Sequence, residues 1–313
     1  MKRKDFLKLG SAGLAGAAMT PLAIPHRPHY KANPISRPQT GETLKKGFML
    51  GTFPSNNDLS LLQKFKMIQR AGFDGVEPES GLDRPEVLRA KEETGLEIPS
   101  VVVSTHWSQP LTSPDPSVRE AGLNGLKTAL HDADAFGAQC ILLVPGVVNS
   151  EVSYDTVYRR SQQQIRKVLP LAEELGITIA IENVWNHFLL SPMEAARYVD
   201  EFESPSVGWY FDIGNIINYG WPEHWIRILG ERIAMIHIKE FSRQKRNDEG
   251  LWRGFNVNYQ EGDNNWPEIM KALRETGYSG YGIAEPPYRP EGVSTEEWLR
   301  NYIAGRMDEI FAM

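Results

Sequence analysis

The chain has one cysteine in 313 residues, Cys140. That excludes an internal disulfide and a thiolate metal cluster, and its apolar setting (CILLV) reads as a small buried hydrophobe. Positive charge is not in excess either. The 34 Lys and Arg face 40 Asp and Glu, a net charge of -6 with the signs interleaved, so nucleic-acid binding by bulk electrostatics is not expected. The glycine-rich loop that doubly wound nucleotide-binding sheets commonly carry is missing after the first β-rich run, and no internal repeat is visible beyond a βα rhythm. What is present is 41% hydrophobic and 10% aromatic residues, enough to bury a sizeable core.

The first 23 residues, MKRKDFLKLGSAGLAGAAMTPLA, place Lys2, Arg3 and Lys4 ahead of Phe6, Leu7 and Lys8. A Gly/Ala/Leu segment follows that is too short and too weakly apolar to span a bilayer. This reads as an export signal. Its order resembles the twin-arginine signal of proteins exported already folded, with Arg3-Lys4 in place of the arginine pair. The expectation is export to the periplasm, cleavage after Ala23 and no stable membrane insertion afterwards. Residues 24–46, proline-rich and polar, read as a linker, and residues 47–313 as one catalytic domain.

From Phe48 onward, short β-rich runs alternate with helix-period segments, the pattern of βα units around a parallel sheet. The runs are FMLGTF (48–53), GVEPE (75–79), IPSVVVS (98–104), CILLVPG (140–146), ITIAIEN (177–183), VGWYFDIGN (207–215), IAMIHIKE (233–240) and YGIAEPP (281–287). Intervening segments such as YRRSQQQIRKVLPLAEELG space apolar residues by three and four. Several end on a glycine suited to a helix C-terminus: Gly72, Gly95, Gly137, Gly176 and Gly277. Ser191-Pro192-Met193-Glu194 has the form of a capping box. The pattern predicts a single-domain α/β fold, the (β/α)8 TIM barrel, with a doubly wound open sheet as the alternative. Residues 243–265 form a long loop that mixes Gly, Asn and charge as a mobile lid would.

In a TIM barrel the active site is built at the C-terminal ends of the strands. The last four runs each end on an ionisable residue there: Glu182, Asp212, His237 and Glu285. Singly, each has a plain structural explanation. Glu182 could close a salt bridge, Asp212 an Asx turn before Gly214, His237 a core position, and Glu285 a strand end before Pro286-Pro287. Their recurrence in four successive strands points instead to a shared site. The three carboxylates, brought together beside the imidazole, repel one another unless a cation intervenes, so one divalent metal ion is expected. Oxygen and nitrogen donors without thiolate favour Mn²⁺, Mg²⁺ or Co²⁺ and admit Zn²⁺, with Mn²⁺ as the first expectation.

IENVWNHFLLSPMEAARYVD, VGWYFDIGNIINYG, IHIKEFSR and EGDNNWPEIMKAL resemble the sugar isomerase and epimerase family of xylose-isomerase-like TIM barrels, which includes ketose 3-epimerases, pentulose-phosphate 3-epimerases and hydroxypyruvate isomerase. The likeness runs from about Phe48 to the C-terminus. It implies that Glu182, Asp212, His237 and Glu285 bind one divalent metal and that the two glutamates act as the acid and base pair. It also implies a substrate contact for Arg243, six residues beyond the metal histidine. Two positions depart from the pattern. Where ketose 3-epimerases usually carry a histidine and a glutamate that touch substrate hydroxyls, this chain has Asn215 and Phe188.

The expected chemistry follows. A cation on the carbonyl and adjacent hydroxyl of a ketose acidifies the α-proton by stabilising an enediolate, and one glutamate removes the proton while the other returns it. Return to the same carbon gives an epimer, return to the neighbouring carbon an isomer. Further candidate substrate contacts are His106, Asn183, Trp185 and Asn215, with Asn186, Trp107 and Glu77 or Glu79 behind them. The partner is expected to be a small sugar or sugar derivative, with no nucleic acid; a homo-oligomer stays open. As an alternative, the same residues support β-elimination on a 3-keto-glycoside. A non-catalytic sugar-binding barrel is disfavoured because the quartet is complete. An endonuclease IV-like phosphodiesterase would need more metal ligands and a basic surface.

Overall fold

The computed structural model describes residues 44–54, 59–286 and 288–313. The expected export signal and most of the expected linker lie outside them. Eight short parallel strands carry the fold: β1 (Lys45–Met49), β2 (Gly75–Glu77), β3 (Ser100–Val102), β4 (Cys140–Leu143), β5 (Thr178–Glu182), β6 (Val207–Asp212), β7 (Ile233–Ile238) and β8 (Tyr281–Ala284). Their order is β2-β1-β8-β7-β6-β5-β4-β3. Isolated parallel bridges, Gly75 to Glu97 and Glu79 to Val102, join the two ends, so the sheet is a nearly closed barrel with helices between successive strands. β1 begins at Lys45, ahead of the expected run; β5 and β6 end on Glu182 and Asp212, β7 carries His237 one residue before its end, and Glu285 follows β8 by one residue. All four therefore sit at the C-terminal ends of the strands, where the loops of that face begin.

Alternation along each strand produces two apolar layers. Val102, Cys140, Leu142, Ala180, Tyr210 and Met235 point inward and pack with Tyr281 and Ile283 as the barrel's interior. Their neighbours, among them Ile141, Ile179, Ile181, Trp209, Phe211 and Ile236, point outward and pack under the helices in the main core. Fully burying an Ile or Phe side chain in that layer stabilises the fold by about 1.5–3 kcal/mol. The same alternation positions the site. Glu182, Asp212, His237 and Glu285 are each two residues beyond an interior residue (Ala180, Tyr210, Met235 and Ile283), so each takes the next inward place above the apolar plug.

Helix ends follow the sequence signals. Gly72, Gly95, Gly137 and Gly176 cap their helices with positive φ, and Ser191 Oγ accepts from the Glu194 backbone N–H. The capping box is only half formed. Glu194 turns its carboxylate to Tyr154 Oη at 2.6 Å and to the Leu190 N–H instead. Among the described residues no helix is long and apolar enough to cross a membrane.

Candidate metal centre

Asp212 and His237 are register partners on β6 and β7, which sets their side chains side by side. β5 brings Glu182 to one side of them, and Glu285, one residue past β8, comes from the other. One ligand atom from each of the four lies within 4.8 Å of the others. His237 Nδ1 is 3.0 Å from Glu182 Oε1 and 3.0 Å from Glu285 Oε2. Its Nε2 faces the opposite way, 3.0 Å from Glu77 Oε2.

This donor set fits a divalent cation. Glu285 Oε2 is buried without a hydrogen-bond partner despite its closeness to Nδ1, because that nitrogen already meets Glu182 and can serve only one of them. A cation among the three atoms removes the conflict.

A fifth charged residue, unforeseen from the sequence, completes the cluster. Lys239 Nζ is 2.7 Å from Glu285 Oε1 and 3.0 Å from Asp212 Oδ2, with the Phe255 ring 5.2 Å away. Gly214 allows this approach, since a Cβ there would sit 2.8 Å from the Lys239 side chain. Lys239 is two residues after His237, so the alternation that places the histidine also places the lysine. Electrostatics follow from burial. Burial opposes charge on Lys239, but Asp212 and Glu285 outweigh it and hold its pKa above the usual lysine value. Glu285 is likewise resisted by burial, yet Lys239 and His237 hold it below the usual carboxylate range. Burial raises Glu182, and raises Asp212 to about 7 against the pull of Lys239. For His237, burial is outweighed by Glu77 and the two glutamates, which keep it well above the ordinary histidine value.

The remaining candidates divide. Asn183 clamps the ends of β5 and β6: its Oδ1 accepts from Asp212 N and Trp209 Nε1, and its Nδ2 donates to Asp212 O. Asn215 donates its backbone N–H to Asp212 Oδ1 at 2.8 Å and its side-chain amide to Asn183 O, so Asp212 makes the turn contact as well as facing the cluster. Trp185 donates to Asn215 O and packs on Phe241, Phe255 and Trp252. Asn186 bonds Gly146 O and Phe188 N, while Phe188 is buried against Tyr154, Tyr158 and Tyr198. Arg243 gives its guanidinium to the carbonyls of Ile217 and Gly220. Glu79 and Trp107 are exposed; Glu77 lies wholly buried inside the barrel.

His106 is also buried, and its Nδ1 accepts from Val144 N–H at 3.2 Å. Burial lowers its pKa to about 4. The unfolded chain would take up a proton there below about pH 6.5 while the folded chain stays neutral, so stability falls as pH drops through that window. The expected loss is up to about 3 kcal/mol between pH 6.5 and 4. Urea unfolding of wild type and His106→Gln at pH 7 and pH 4.5 measures it. Identical pH dependence in the two proteins would remove His106 as the cause.

The 243–265 loop is more ordered than a bare lid. It forms a helix, Arg243–Glu249, and a 3-10 turn, Leu251–Phe255, and the rest is tied to buried Glu240, which accepts from Gln260 N, Asn264 N and Trp266 Nε1. Gly262 is required where the loop passes, because a Cβ there would sit 2.5 Å from Glu240 Oε1.

Comparison with known proteins agrees with this architecture. A family described as xylose isomerase-like TIM barrel matches residues 65–303. The L-ribulose-5-phosphate 3-epimerase of Escherichia coli O1:K1 is 26% identical over 238 residues, 72% of this chain and 81% of that protein. The crystal structure of the 3-keto-D-glucoside 4-epimerase of E. coli has a TM-score of 0.69 at 18% identity, covering 85% of this chain and 99% of that one. The IOLI protein, solved with a bound zinc atom, has a TM-score of 0.66 at 18% identity, covering 86% and 100%. At such identities the structural likeness speaks to fold.

Proposed function

The chain belongs to the xylose isomerase-like TIM barrel family, and from that premise we propose that it is a divalent-metal-dependent sugar isomerase or epimerase that moves a proton next to a ketose carbonyl. The observation that carries the reading is the convergence of Glu182, Asp212, His237 and Glu285 within 4.8 Å. The epimerase activity named for the E. coli relative supports it. Mn²⁺ is our first choice for the ion; a cation held there would stabilise the negative charge that develops on the substrate's carbonyl oxygen.

The residues divide the remaining work. Asp212 and His237 side chains are fully buried, whereas those of Glu182 and Glu285 keep 7% and 20% exposure. The two glutamates are therefore the members of the quartet open to a substrate. They reach the cluster from strands on either side of the Asp212 and His237 pair, which suits one to remove a proton from one face and the other to return it on the opposite face. The proposed export signal argues for an unphosphorylated sugar, since sugar phosphates are mainly cytoplasmic.

A second reading is favoured by Phe188 and Asn215. Phe188 is packed into the helix layer and Asn215 holds Asp212 and Asn183, so the hydroxyl contacts usual in ketose 3-epimerases have no counterpart at these positions. On a 3-keto-glycoside the same residues would instead support an elimination. The base that removes the C2 proton would then expel the C1 aglycone by β-elimination.

The test is metal analysis of the purified protein, followed by incubation of the Mn²⁺-loaded enzyme in heavy water with free ketoses, aldoses and 3-keto-glycosides. Epimer or isomer formation with deuterium at the α-carbon is expected. Aglycone release with neither would replace the first reading by the second, and absence of both metal and exchange would end both.

A further inference from the structure

Glu77 is the only carboxylate inside the barrel, among the described residues, that faces His237 from below rather than from the ligand side. It lies on β2, three strands from β7 in the sheet order, and its side chain crosses the interior with no exposure. Its oxygens divide their duties. Oε1 accepts from Ser100 Oγ on β3 and Tyr210 Oη on β6, each at 2.5 Å. Oε2 is left facing His237 Nε2 at 3.0 Å.

We infer that Glu77 is the positioning residue for the metal ligand: it accepts a hydrogen bond from Nε2–H, which fixes the His237 tautomer and turns the Nδ1 lone pair to the cation. Three observations converge on this. Two hydroxyl donors pin the Glu77 carboxylate so that it cannot rotate away. Both hydroxyl donors fall on Oε1, which leaves Oε2 open as the acceptor that faces Nε2. Nδ1, and not Nε2, is the nitrogen flanked at 3.0 Å by Glu182 and Glu285. Carboxylate partners of this kind orient a ligating imidazole and raise its basicity, and their loss typically weakens metal binding by about 10–100-fold.

The inference rests on the metal reading of the site, and one set of experiments separates the two. Zn²⁺ serves as a diamagnetic probe on the full chain. Long-range ¹H–¹⁵N spectra, with His237 assigned by loss of its signals in His237→Asn, are expected to show Nδ1 bound to zinc and Nε2 protonated. In Glu77→Gln the zinc Kd, measured by chelator competition, is expected to rise about 10–100-fold while circular dichroism stays native. Zinc on Nε2 of the wild type overturns the inference even if the variant fails to fold. A folded Glu77→Gln protein whose zinc Kd is within twofold of wild type overturns it alone and leaves the proposed chemistry standing. Wild-type protein that takes up no zinc overturns the metal reading and the inference together.

Discussion

Glu182→Gln and Glu285→Gln are each expected to lower net epimer or isomer formation by about 10³-fold or more, from the usual contribution of a positioned acid or base, while the folded barrel survives. Glutamine keeps the shape and one carbonyl oxygen, so metal uptake should weaken without vanishing. What disappears is a group that can hold the proton. If two glutamates flank the substrate on opposite faces, the variants also differ in kind. With one gone, the survivor can still exchange the proton of whichever epimer points toward it, returning solvent deuterium to the same face. Each variant should therefore wash deuterium into only one of two epimers, and the two variants into opposite ones. The measurement is α-carbon deuterium incorporation from each epimer separately, on Mn²⁺-loaded protein. Loss of exchange from both epimers in one variant, with exchange from both kept in the other, would sink the two-base assignment and leave a single glutamate serving as base.

The quartet behind that prediction is legible in the sequence because period-two alternation and an abrupt change from apolar to ionisable residues mark the same place in four strands. Lys239 obeys the same rule one step further along IHIKE. It is easy to miss because the lysine falls just past Ile238, the last residue of β7, where a charge reads as solvated. The Glu77 and His237 pair is a different case. The partners are 160 positions apart, and nothing local says that β2 and β7 face each other across the barrel. Loop geometry hides the rest. His187 and Leu189 adopt positive φ of 60° and 54°, and the turn they make sends Phe188 into the helix layer. The carbonyls that hold Arg243 belong to Ile217 and Gly220, in the connection after β6, so a motif spacing counted from His237 cannot reveal them.

Lys239→Met should produce the largest change in stability, and only in metal-free protein. The ammonium bridges Asp212 Oδ2 and Glu285 Oε1 at 3.0 and 2.7 Å, with 10% of the lysine side chain exposed. Removing one partner of a buried ion pair leaves charge without compensation and costs about 3–5 kcal/mol. Here two carboxylates are left facing each other, so repulsion adds to desolvation. For a domain of this size, a loss of that order lowers the midpoint of thermal unfolding by about 6–20 °C. Methionine matches the length of the lysine stem, so lost charge, rather than a cavity, dominates. A divalent cation bound between the same carboxylates supplies the positive charge that the variant lacks. Adding Mn²⁺ should then raise the midpoint of Lys239→Met more than that of wild type, and by linkage the variant should bind the ion more tightly. Thermal unfolding with chelator and with saturating Mn²⁺, run on both proteins, gives all four midpoints. Metal-free Lys239→Met as stable as wild type would mean that the ammonium does not pair with these carboxylates in solution. A gap that Mn²⁺ fails to narrow would mean that the ion and the lysine do not answer the same charge.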